Sequence, residues 1–528
     1  MRRATLLGLS LLGCTAKDSN QKSDRVQDTQ QPGDGFGSDT ADSGHDGDSG
    51  SVEPLRCETG HNAAPIGPLT CANQAPCAWP GDQRNGSLGY ALNVGGDVNG
   101  DGWPDLLVGA PTEDQLRDEV VVGTDSGAVH LWLNPGQAAV GPADATFYGE
   151  TAGGFMGYAV AIVPDVNGDG LDDILAGGRG LNSDGVHAAG SAVLILGQTG
   201  PHAEGVMEPA MIWTGEDVLH RAGSTVHGAG DLNGDGLGDI LIATEQRQAL
   251  GSGYEFPGRG KVAIIYGQPE IHLLPNLADA DASVVGEDTS DSTGAAVKTG
   301  DIDGDGHLDL VVGSPNALGN RGRVDVLRGN AEPLAGEYTP ALAQANLMGP
   351  VAGSSFGSAL ALGNLDDQDG AELVVGAPGD DLVYDSAGSA HVYAGGLSVF
   401  EISAEPAVRI HGEFDDAQLG LGLDAGADIN GDGAGDLIVG ATYARRGLIT
   451  KGGRVYGFTG PYTAWAPVTN AGTAPTQVFG AATKDFLGRA NEAADINGDG
   501  RAELFIGSGF INHAGRIDSG GVMMFWGE

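Results

Sequence analysis

Acidic segments of nine residues recur along the chain and carry the residues best suited to chemistry. The clearest begins at Asp97 and reads DVNGDGWPD, and related segments begin at Asp165, Asp231, Asp301, Asp428 and Asp495. Positions one, three and five of each segment carry side-chain oxygens, position seven offers a backbone carbonyl, and position nine carries a carboxylate. Such a flexible, anionic shell of oxygen donors suits Ca²⁺ better than Mg²⁺, which prefers strict octahedral geometry. We therefore predict six calcium sites.

The candidate calcium ligands occupy positions one, three, five, seven and nine of the six segments. In chain order they are Asp97, Asn99, Asp101, Trp103, Asp105, Asp165, Asn167, Asp169, Leu171, Asp173, Asp231, Asn233, Asp235, Leu237, Asp239, Asp301, Asp303, Asp305, His307, Asp309, Asp428, Asn430, Asp432, Ala434, Asp436, Asp495, Asn497, Asp499, Arg501 and Glu503. A seventh segment, NLDDQDGAE, begins at Asn364. It has Gln368 where a carboxylate belongs and Asp369 where glycine belongs, so we expect it to bind calcium weakly or to be purely structural.

Two alternatives to these calcium sites can be weighed from the residues. The Asp and Asn side chains could only form Asx-turns with their own backbone, but three or four carboxylates within nine residues repel one another without a cation. The segments could also be EF-hand loops, but position twelve is apolar, as at Val108 and Ile242. An apolar position twelve indicates loops between strands rather than between helices.

The segments belong to a repeat that predicts the surrounding elements. Their starts are 63 to 70 residues apart. An apolar pair running into glycine precedes each segment, and a Gly-led β-branched run such as GAVHLWL, from Gly127, follows it. This order predicts an all-β, seven-bladed β-propeller with four strands per blade. The last unit ends after its Gly-led strand, so we expect residues 78–81 to supply its missing outer strand and close the ring.

Three elements that recur together resemble a known repeat. They are the FGxA-type strand starts at Phe155 and Ser355, the acidic loop, and the LLVGAP run at residues 106–111. Together they resemble the FG-GAP repeat of the integrin α-chain propeller over residues 78–528. The resemblance implies a propeller that binds other macromolecules, and we do not carry over the ligand specificity of the integrins.

The N-terminal residues predict export. Arg2 and Arg3 precede an apolar run at residues 4–12, followed by Gly13 and Cys14. The order resembles the lipobox of bacterial lipoproteins, which implies cleavage before Cys14 and lipidation of its thiol; the alternative is an ordinary signal peptide. The predicted domains are a lipoprotein signal peptide at 1–13, a disordered acidic tether at 14–56, a Cys-containing connector at 57–77 and the propeller at 78–528. Localisation at the cell envelope or surface follows, anchored to the outer membrane by lipid alone.

Composition narrows the possible partners. With 71 acidic and 26 basic residues the formal charge is −45, which excludes nucleic acid as a partner on electrostatic grounds. Two of Cys57, Cys71 and Cys77 could pair in an oxidising compartment, which leaves the third unpaired. No zinc-type spacing accompanies them.

The residues favour a binding protein over an enzyme. The string GSSFG from Gly353 could be a hydrolase nucleophile elbow, but it coincides with the FG position of the fifth unit. We predict a monomeric, calcium-binding, surface-anchored module that binds an extracellular protein or glycan in adhesion. The alternatives are a lectin-like propeller, although the Trp residues do not recur in register, and, less favoured, a secreted hydrolase.

Overall fold

The chain is described by a computed structural model. It covers residues 57–59, 78–81, 83–117, 120–136, 141–180, 188–200, 209–250, 254–256, 258–269, 276–396, 405–512 and 517–526. All of these lie in one compact unit, Glu53–Glu528. The predicted signal peptide, Cys14, the tether, Cys71 and Cys77 lie outside the described residues, and the predicted domain boundaries there stay predictions.

The described chain folds into seven blades, each built on four antiparallel strands, and the chain enters each blade at its innermost strand. Two strands come first, β1 (Cys57–Thr59) and β2 (Ala78–Pro80). Blade 1 contains β3 (Ala91–Gly95), β4 (Asp105–Ala110), the hairpin β5 (Gln115–Arg117) and β6 (Val120–Gly123), β7 (Ala128–Trp132) and β8 (Ala145–Tyr148). Blade 2 contains β9 (Met156–Val163), β10 (Asp173–Gly178), β11 (Ser191–Ile195) and β12 (Met211–Thr214).

Blades 3 to 5 repeat this order. Blade 3 contains β13 (Thr225–Gly230), β14 (Asp239–Thr244), the hairpin β15 (Gln248–Leu250) and β16 (Tyr254–Phe256), β17 (Lys261–Ile265) and β18 (Ala282–Val285). Blade 4 contains β19 (Ala296–Gly300), β20 (Asp309–Ser314) and β21 (Arg323–Leu327); β22 (Gly336–Tyr338) follows, and β23 (Ala345–Met348) completes the blade. Blade 5 contains β24 (Leu360–Gly363), β25 (Glu372–Ala377), β26 (Ser389–Tyr393) and β27 (Val408–His411).

Blades 6 and 7 complete the ring and confirm the predicted seven-bladed propeller. Blade 6 contains β28 (Leu419–Ala425), β29 (Leu437–Ala441) and β30 (Arg454–Phe458); β31 (Val468–Asn470) follows, and β32 (Thr476–Phe479) completes the blade. Blade 7 contains β33 (Ala490–Ala494), β34 (Glu503–Ser508) and β35 (Gly521–Phe525). Short helical turns lie in the connections, at Leu277–Asp279, Ala317–Asn320, Pro340–Leu342, Tyr462–Ala464 and Ala471–Thr473.

The N-terminal strand β2 supplies the outer strand of blade 7, which confirms the predicted closure. It runs antiparallel to β35, with Trp79 opposite Val522. Trp79 is 3% exposed and packs between Phe505 and Trp132, with ring centroids 6.2 Å and 5.9 Å away. A strand from one end of the propeller thus completes the sheet at its other end, so the ring has no unpaired seam.

Three outer edges carry a fifth strand that the repeat does not predict. β22 and β31 lie parallel to the outer strands β18 and β27 of the preceding blades, and β1 pairs antiparallel with β32. β1 lies in the segment predicted as a connector. These strands cover backbone groups that would otherwise form exposed sheet edges.

The hydrophobic core lies between neighbouring blades rather than in one central mass. Seven clusters of buried side chains occupy the seven interfaces. Because both faces of the second strand are covered, all six residues of β4 are buried, and the same holds for β10, β14, β20, β25 and β34. This explains the continuous apolar runs that follow each acidic segment.

The two glycines of the repeat meet across these interfaces. A Cβ on Gly109, the glycine of the VGAP run, would lie 2.0 Å from the carbonyl oxygen of Gly157, the FG glycine of the next blade. The same clash arises between Gly177 and Gly223, between Gly313 and Gly357, and at three further interfaces, whereas blade 3 has Ala243 at this position, opposite Gly294. The close backbone approach therefore explains why the repeat contains both glycines.

The connections divide between two ends of the propeller. Short parallel bridges join the residue before the third strand of one blade to the start of the next blade, as between Gly127 and Met156. Connections between second and third strands therefore lie at the same end as connections between blades. The acidic segments join first to second strands and lie at the opposite end. Among the described residues, no helix is both long enough and apolar enough to cross a membrane.

Candidate metal centres

The structure places each acidic segment, hereafter an acidic loop, between the inner and second strands of a blade. Position nine is the first residue of the second strand in most blades, as at Asp105 in β4 and Glu503 in β34, and Asp436 directly precedes β29. Gly100 and Gly102 of the first loop have φ values of 75° and 85°, the left-handed region that favours glycine. A Cβ on Gly102 would meet nothing within 4 Å, so backbone conformation, not space, requires glycine there.

The position-one aspartate organises each loop through its own backbone. In the first loop, Asp97 Oδ1 accepts hydrogen bonds from the N–H groups of Gly100 and Asp101 at 2.6 and 3.0 Å, and Oδ2 accepts one from Gly102 at 2.7 Å. Asp165, Asp231, Asp301, Asp428 and Asp495 make the same three bonds. The Asx-turn geometry is therefore present. Each carboxylate oxygen has two lone pairs, so the three accepted bonds leave one lone pair of Oδ2 for a further partner.

The position-nine carboxylate is buried beneath the loop. Asp173 Oδ2 accepts from Val166 N–H at 3.0 Å, and Oδ1 accepts from Gly197 N–H, beyond the third strand, at 2.9 Å. Burial, and then the like charges of Asp169 and Asp165, raise the pKa of Asp173 to about 6. Burial is also the main cause that raises the pKa of Asp105, Asp239, Asp436 and Glu503 to about 7, and that of Asp309 to about 6.

Positions three, five and seven form the outer part of each loop. The Asn99 side-chain amide donates to Asp101 Oδ2 at 3.1 Å, and the N–H of Trp103 donates to Asp101 Oδ1 at 3.0 Å. The loops at Asp165, Asp231 and Asp428 repeat both bonds with Asn167, Leu171, Asn233, Leu237, Asn430 and Ala434. In the last loop, Asn497 donates instead to Glu503 Oε1 at 2.9 Å, and Arg501 N–H donates to Asp499.

The Asp301 loop differs because Asp303 replaces asparagine at position three. Carboxylate oxygens of Asp301, Asp303 and Asp309 lie within 4.8 Å of one another, an acidic cluster able to hold a metal ion. His307 N–H donates to Asp305 Oδ1 at 2.9 Å. Arg328, which follows β21, lies against the loop, with Nε 2.6 Å from Asp303 Oδ2 and Nη2 donating to Asp305 Oδ2 at 2.8 Å. Counting carboxylates along the sequence does not reveal this guanidinium.

The donor types of the six loops suit a divalent cation, and among the described residues the Asp301 loop is the one that brings three carboxylates within 4.8 Å of one another. Each loop brings carboxylates from positions one, five and nine, plus an amide or carboxylate oxygen from position three, into one short turn. The like charges at positions one, three and five are among the causes that raise the pKa of the buried position-nine group. A hard cation with six to eight oxygen ligands would offset that repulsion. Calcium bound there would supply charge neutralisation and would pin the loop.

The loop at Asn364 has different internal bonds. The Asn364 side-chain amide donates to the carbonyl of Gln368 at 2.8 Å, and its Oδ1 accepts from Asp367 N–H at 2.7 Å. Asp367 has a φ of 61°, and Gly370, at position seven, has 91°. A side-chain amide thus closes this turn, which agrees with the expectation of a structural loop.

Backbone hydrogen bonds join neighbouring acidic loops. The carbonyl of Asp97, at position one, accepts from the N–H of Asp172, at position eight of the next loop, at 3.1 Å. Asp165 with Gly238, Asp301 with Ala371, and Asp428 with Ala502 repeat this bond. The Asp172 carboxylate adds a bond from Asp97 N–H at 2.7 Å, a role that the sequence analysis did not assign. Among the described residues, this bond joins four of the seven pairs of neighbouring acidic loops.

The inner strands line a central channel with a cavity of about 480 Å³. Polar side chains there bond to the neighbouring inner strand: Glu492 accepts from Val94 N–H at 2.6 Å, and Asp424 accepts from Ala493 N–H at 2.8 Å. Asn93 donates to both oxygens of Glu492 at 2.9 Å. These acceptors satisfy backbone N–H groups that the edge of each inner strand leaves unpaired.

Comparison with known families agrees with this geometry. The FG-GAP repeat model matches residues 88–132 and 293–327, which contain acidic loops and VGAP-type strands. The chain carries FG-GAP repeats. Integrin α-chains align with less than half of its length.

Three integrins illustrate the likeness. The chain is 32% identical to integrin alpha-PS2 of Drosophila melanogaster over 235 residues, 43% of this chain and 15% of that protein. It is 31% identical to human integrin alpha-IIb over 242 residues, 44% of this chain and 20% of that protein. It is 29% identical to integrin alpha pat-2 of Caenorhabditis briggsae over 243 residues, 43% of this chain and 18% of that protein. The FG-GAP propeller thus matches only about a fifth or less of each integrin.

Among solved structures, the chain is similar to the Dos1 propeller, with 12% identity and a TM-score of 0.40 over 80% of this chain and 74% of that one. It is similar to the rhamnogalacturonan lyase YesW with 12% identity and a TM-score of 0.38, over 90% of this chain and 75% of that one. These likenesses are too distant to carry a functional argument.

Proposed function

We propose that this FG-GAP propeller is a calcium-stabilised, non-enzymatic binding module of the cell envelope, which holds an extracellular protein as its partner. The partner binds at the end opposite the acidic loops. Calcium binds at the six complete acidic loops and holds them in shape. Export and attachment through lipidated Cys14 rest on the N-terminal sequence, and the propeller acts as a monomer.

The observation that carries the proposal is a set of apolar side chains exposed on the connections between second and third strands. Leu448 is 98% exposed, Leu382 53% and Val122 51%. The others on these connections are Leu116, Val121, Leu318, Val383, Tyr384 and Ile517, from blades 1, 4, 5 and 7. Val218, between blades 2 and 3, lies at the same end. Apolar side chains exposed at one end of the propeller favour a protein-binding surface there.

Calcium supports this surface indirectly. The apolar connections are held by the blades, and at the other end of the propeller backbone bonds join four pairs of neighbouring acidic loops. An ion that binds only the folded state adds stability of about 2.7 kcal/mol per site at a hundredfold excess over its dissociation constant. A partner would therefore bind best when calcium is present.

A capture experiment with matched variants tests the proposal. The whole exported chain is immobilised and exposed to surface extract with calcium or with EDTA. A specific partner is retained in calcium, lost in EDTA, and lost from Leu448→Asp or Leu382→Asp. Leu342→Asp is the control, because Leu342 is 55% exposed but lies on a connection at the acidic-loop end. Equal capture by all variants would show that this end is not the binding surface.

Carbohydrate binding is the second candidate, and one cavity favours it. A cavity of about 380 Å³ at the interface of blades 7 and 1 is lined by Trp79, Trp132, Pro135, Pro142 and Asp144, among others. The indole N–H of Trp79 is buried there and has no hydrogen-bond partner among the described atoms. Aromatic walls, a free donor and a carboxylate suit a sugar ring. A glycan array tests this candidate. Saturable binding to the array that is lost in Trp132→Ala would favour carbohydrate binding over a protein partner.

A further inference from the structure

Arg328 occupies a position at which no other blade has a charged side chain. Arg328 directly follows the third strand, β21, and directly precedes Gly329. The N–H of Gly329 donates a hydrogen bond to Oδ1 of Asp309, at position nine of the loop, at 2.8 Å. The equivalent residues, aligned through the third-strand register, are Leu133, Leu196, Tyr266, Ala394, Thr459 and Trp526. The arginine therefore coincides with the one complete loop that has aspartate at position three.

The chemistry of position three explains the coincidence. In four of the other loops, an asparagine amide donates to Oδ2 of the position-five aspartate at 2.9 to 3.1 Å. Asp303 is an acceptor only and cannot make this bond. Arg328 contacts both carboxylates instead, at 2.6 Å from Asp303 and 2.8 Å from Asp305. It replaces the missing donor. Arg328 and the four ligand carboxylates of this loop together carry a formal charge of −3, the same as the three ligand carboxylates of each other complete loop.

We infer that Arg328 is a built-in counter-ion that competes with calcium for Asp303 and Asp305, so that blade 4 binds calcium more weakly than its four carboxylates would otherwise allow. The same contacts hold the loop together when calcium is absent. Asp303 has a side-chain exposure of 1%, so its charge needs a partner in either state. Calcium and the guanidinium are two alternative partners, and binding of the ion displaces Arg328 from Asp303. The inference rests on the proposed calcium binding by the acidic loops.

The test uses a luminescent reporter at the blade 4 loop. Trp103 stands at position seven of the first loop, where it can sensitise bound Tb³⁺, and blade 4 has His307 at that position. The double variant Trp103→Leu/His307→Trp moves the reporter to blade 4, and leucine already occupies this position in two other loops. Tb³⁺ luminescence and its displacement by Ca²⁺ are measured on the full chain with and without Arg328→Leu; leucine is the residue of blades 1 and 2 at this point. The Trp103→Leu single variant gives the background.

Two readouts of opposite sign are expected. Arg328→Leu lowers the calcium dissociation constant at blade 4 by about tenfold, which corresponds to 1.4 kcal/mol. In EDTA the same change lowers the thermal midpoint, because it leaves the Asp303 charge buried without a partner. Arg328→Lys keeps the positive charge but loses the planar guanidinium, so its calcium affinity at blade 4 falls between those of the wild-type chain and of Arg328→Leu. Arg247→Leu, which removes an ion pair on a connection at the end opposite the acidic loops, changes neither blade 4 affinity nor its dependence on Arg328.

The controls separate failure of the inference from failure of the proposed function. If the native Trp103 reporter shows calcium binding at blade 1 while the affinity at blade 4 is unchanged or weaker in Arg328→Leu, the counter-ion role is wrong and calcium binding stands. If neither reporter detects Tb³⁺ or Ca²⁺, calcium binding by the loops is wrong, and the inference fails with it.

Discussion

Individual residues of the acidic loops have two separable tasks. The position-nine carboxylate is buried. It accepts hydrogen bonds from backbone N–H groups of its own loop and, in most blades, of a residue beyond the third strand, so it supports the blade with or without an ion. Position five is exposed and, apart from Asp305 with its contact to Arg328, bonds only within its loop, so a bound ion would be its main partner. The nine-residue spacing predicts both groups as ligands and does not distinguish these tasks, because the donor beyond the third strand is remote in sequence.

Substitution in the second blade should separate the two tasks. Asp173→Asn loses one acceptor and sets an amide donor against a backbone N–H, a buried mismatch that costs about 1–3 kcal/mol. We expect a lower thermal midpoint in EDTA as well as in calcium. Asp169→Asn, at the exposed position five, should lower calcium affinity and leave the EDTA midpoint nearly unchanged. Identical midpoints for the two variants in EDTA would contradict the structural role of position nine.

Glu492 in the channel should make stability depend on pH. Burial raises its pKa to about 7, and Lys298 and Asp424 modify that effect in opposite directions. Because the folded protein binds this proton more tightly than the unfolded chain, the free energy of unfolding falls as pH rises from about 4.5 to 7. At a fixed calcium excess, Glu492→Gln should therefore lose less stability than wild type between pH 5 and pH 8. The exposed Glu332→Gln is the control, and an unchanged pH profile for Glu492→Gln would argue against the shift.

Arg328 shows where residue-level prediction from the sequence stops. The run VDVLRG predicts the end of a strand. Nothing in it indicates that the arginine contacts a loop more than twenty residues earlier. Only the register of β20 against β21 brings Arg328 to Asp303 and Asp305. A comparison of the same strand position across all blades would have singled it out, because every other blade has an uncharged residue there.

At the scale of elements, the repeat predicts nearly all of the propeller. Spacing, apolar runs and glycine positions each reflect a constraint that recurs in every blade, such as the contact between Gly109 and Gly157. The fifth strands β22 and β31 could not be predicted in this way. They are three residues long and partly exposed, and apart from Tyr338, which packs against a hydrophobic cluster, they contribute no side chain to the core, so they leave no apolar pattern in the sequence.

The Asn364 loop offers a test of the loop design. Its closure by the side-chain amide of Asn364 indicates that no ion is needed, so we expect six calcium ions per chain by equilibrium dialysis. Asn364→Asp/Gln368→Asp/Asp369→Gly restores the ligand pattern of the complete loops and should raise the count to seven. The single change Asp436→Asn in the neighbouring blade should lower the count to five. A count of six calcium ions for the triple variant would mean that these three substitutions are not enough to give the Asn364 loop the calcium binding of the complete loops.

For the whole molecule, the packing between blades predicts that calcium stabilises the propeller as a unit. Each hydrophobic cluster spans two blades, and backbone bonds join four pairs of neighbouring loops, so loosening one loop weakens its neighbours. EDTA should lower the thermal midpoint in one cooperative transition, and added Ca²⁺ should restore it better than Mg²⁺. Circular dichroism melts would check this. A midpoint that is indifferent to EDTA would contradict the role of the ions.

The pairing of β2 with β35 has a consequence for how the protein is made. The first strand of the propeller to leave the ribosome finds its partner only when the last blade has been synthesised. Until then, Trp79 has no sheet to cover, and the interface between blades 7 and 1 stays open. Closure of the ring is therefore a late step in folding. Under the proposed export, the chain would cross the membrane before its ring closes, and it would meet calcium outside the cell.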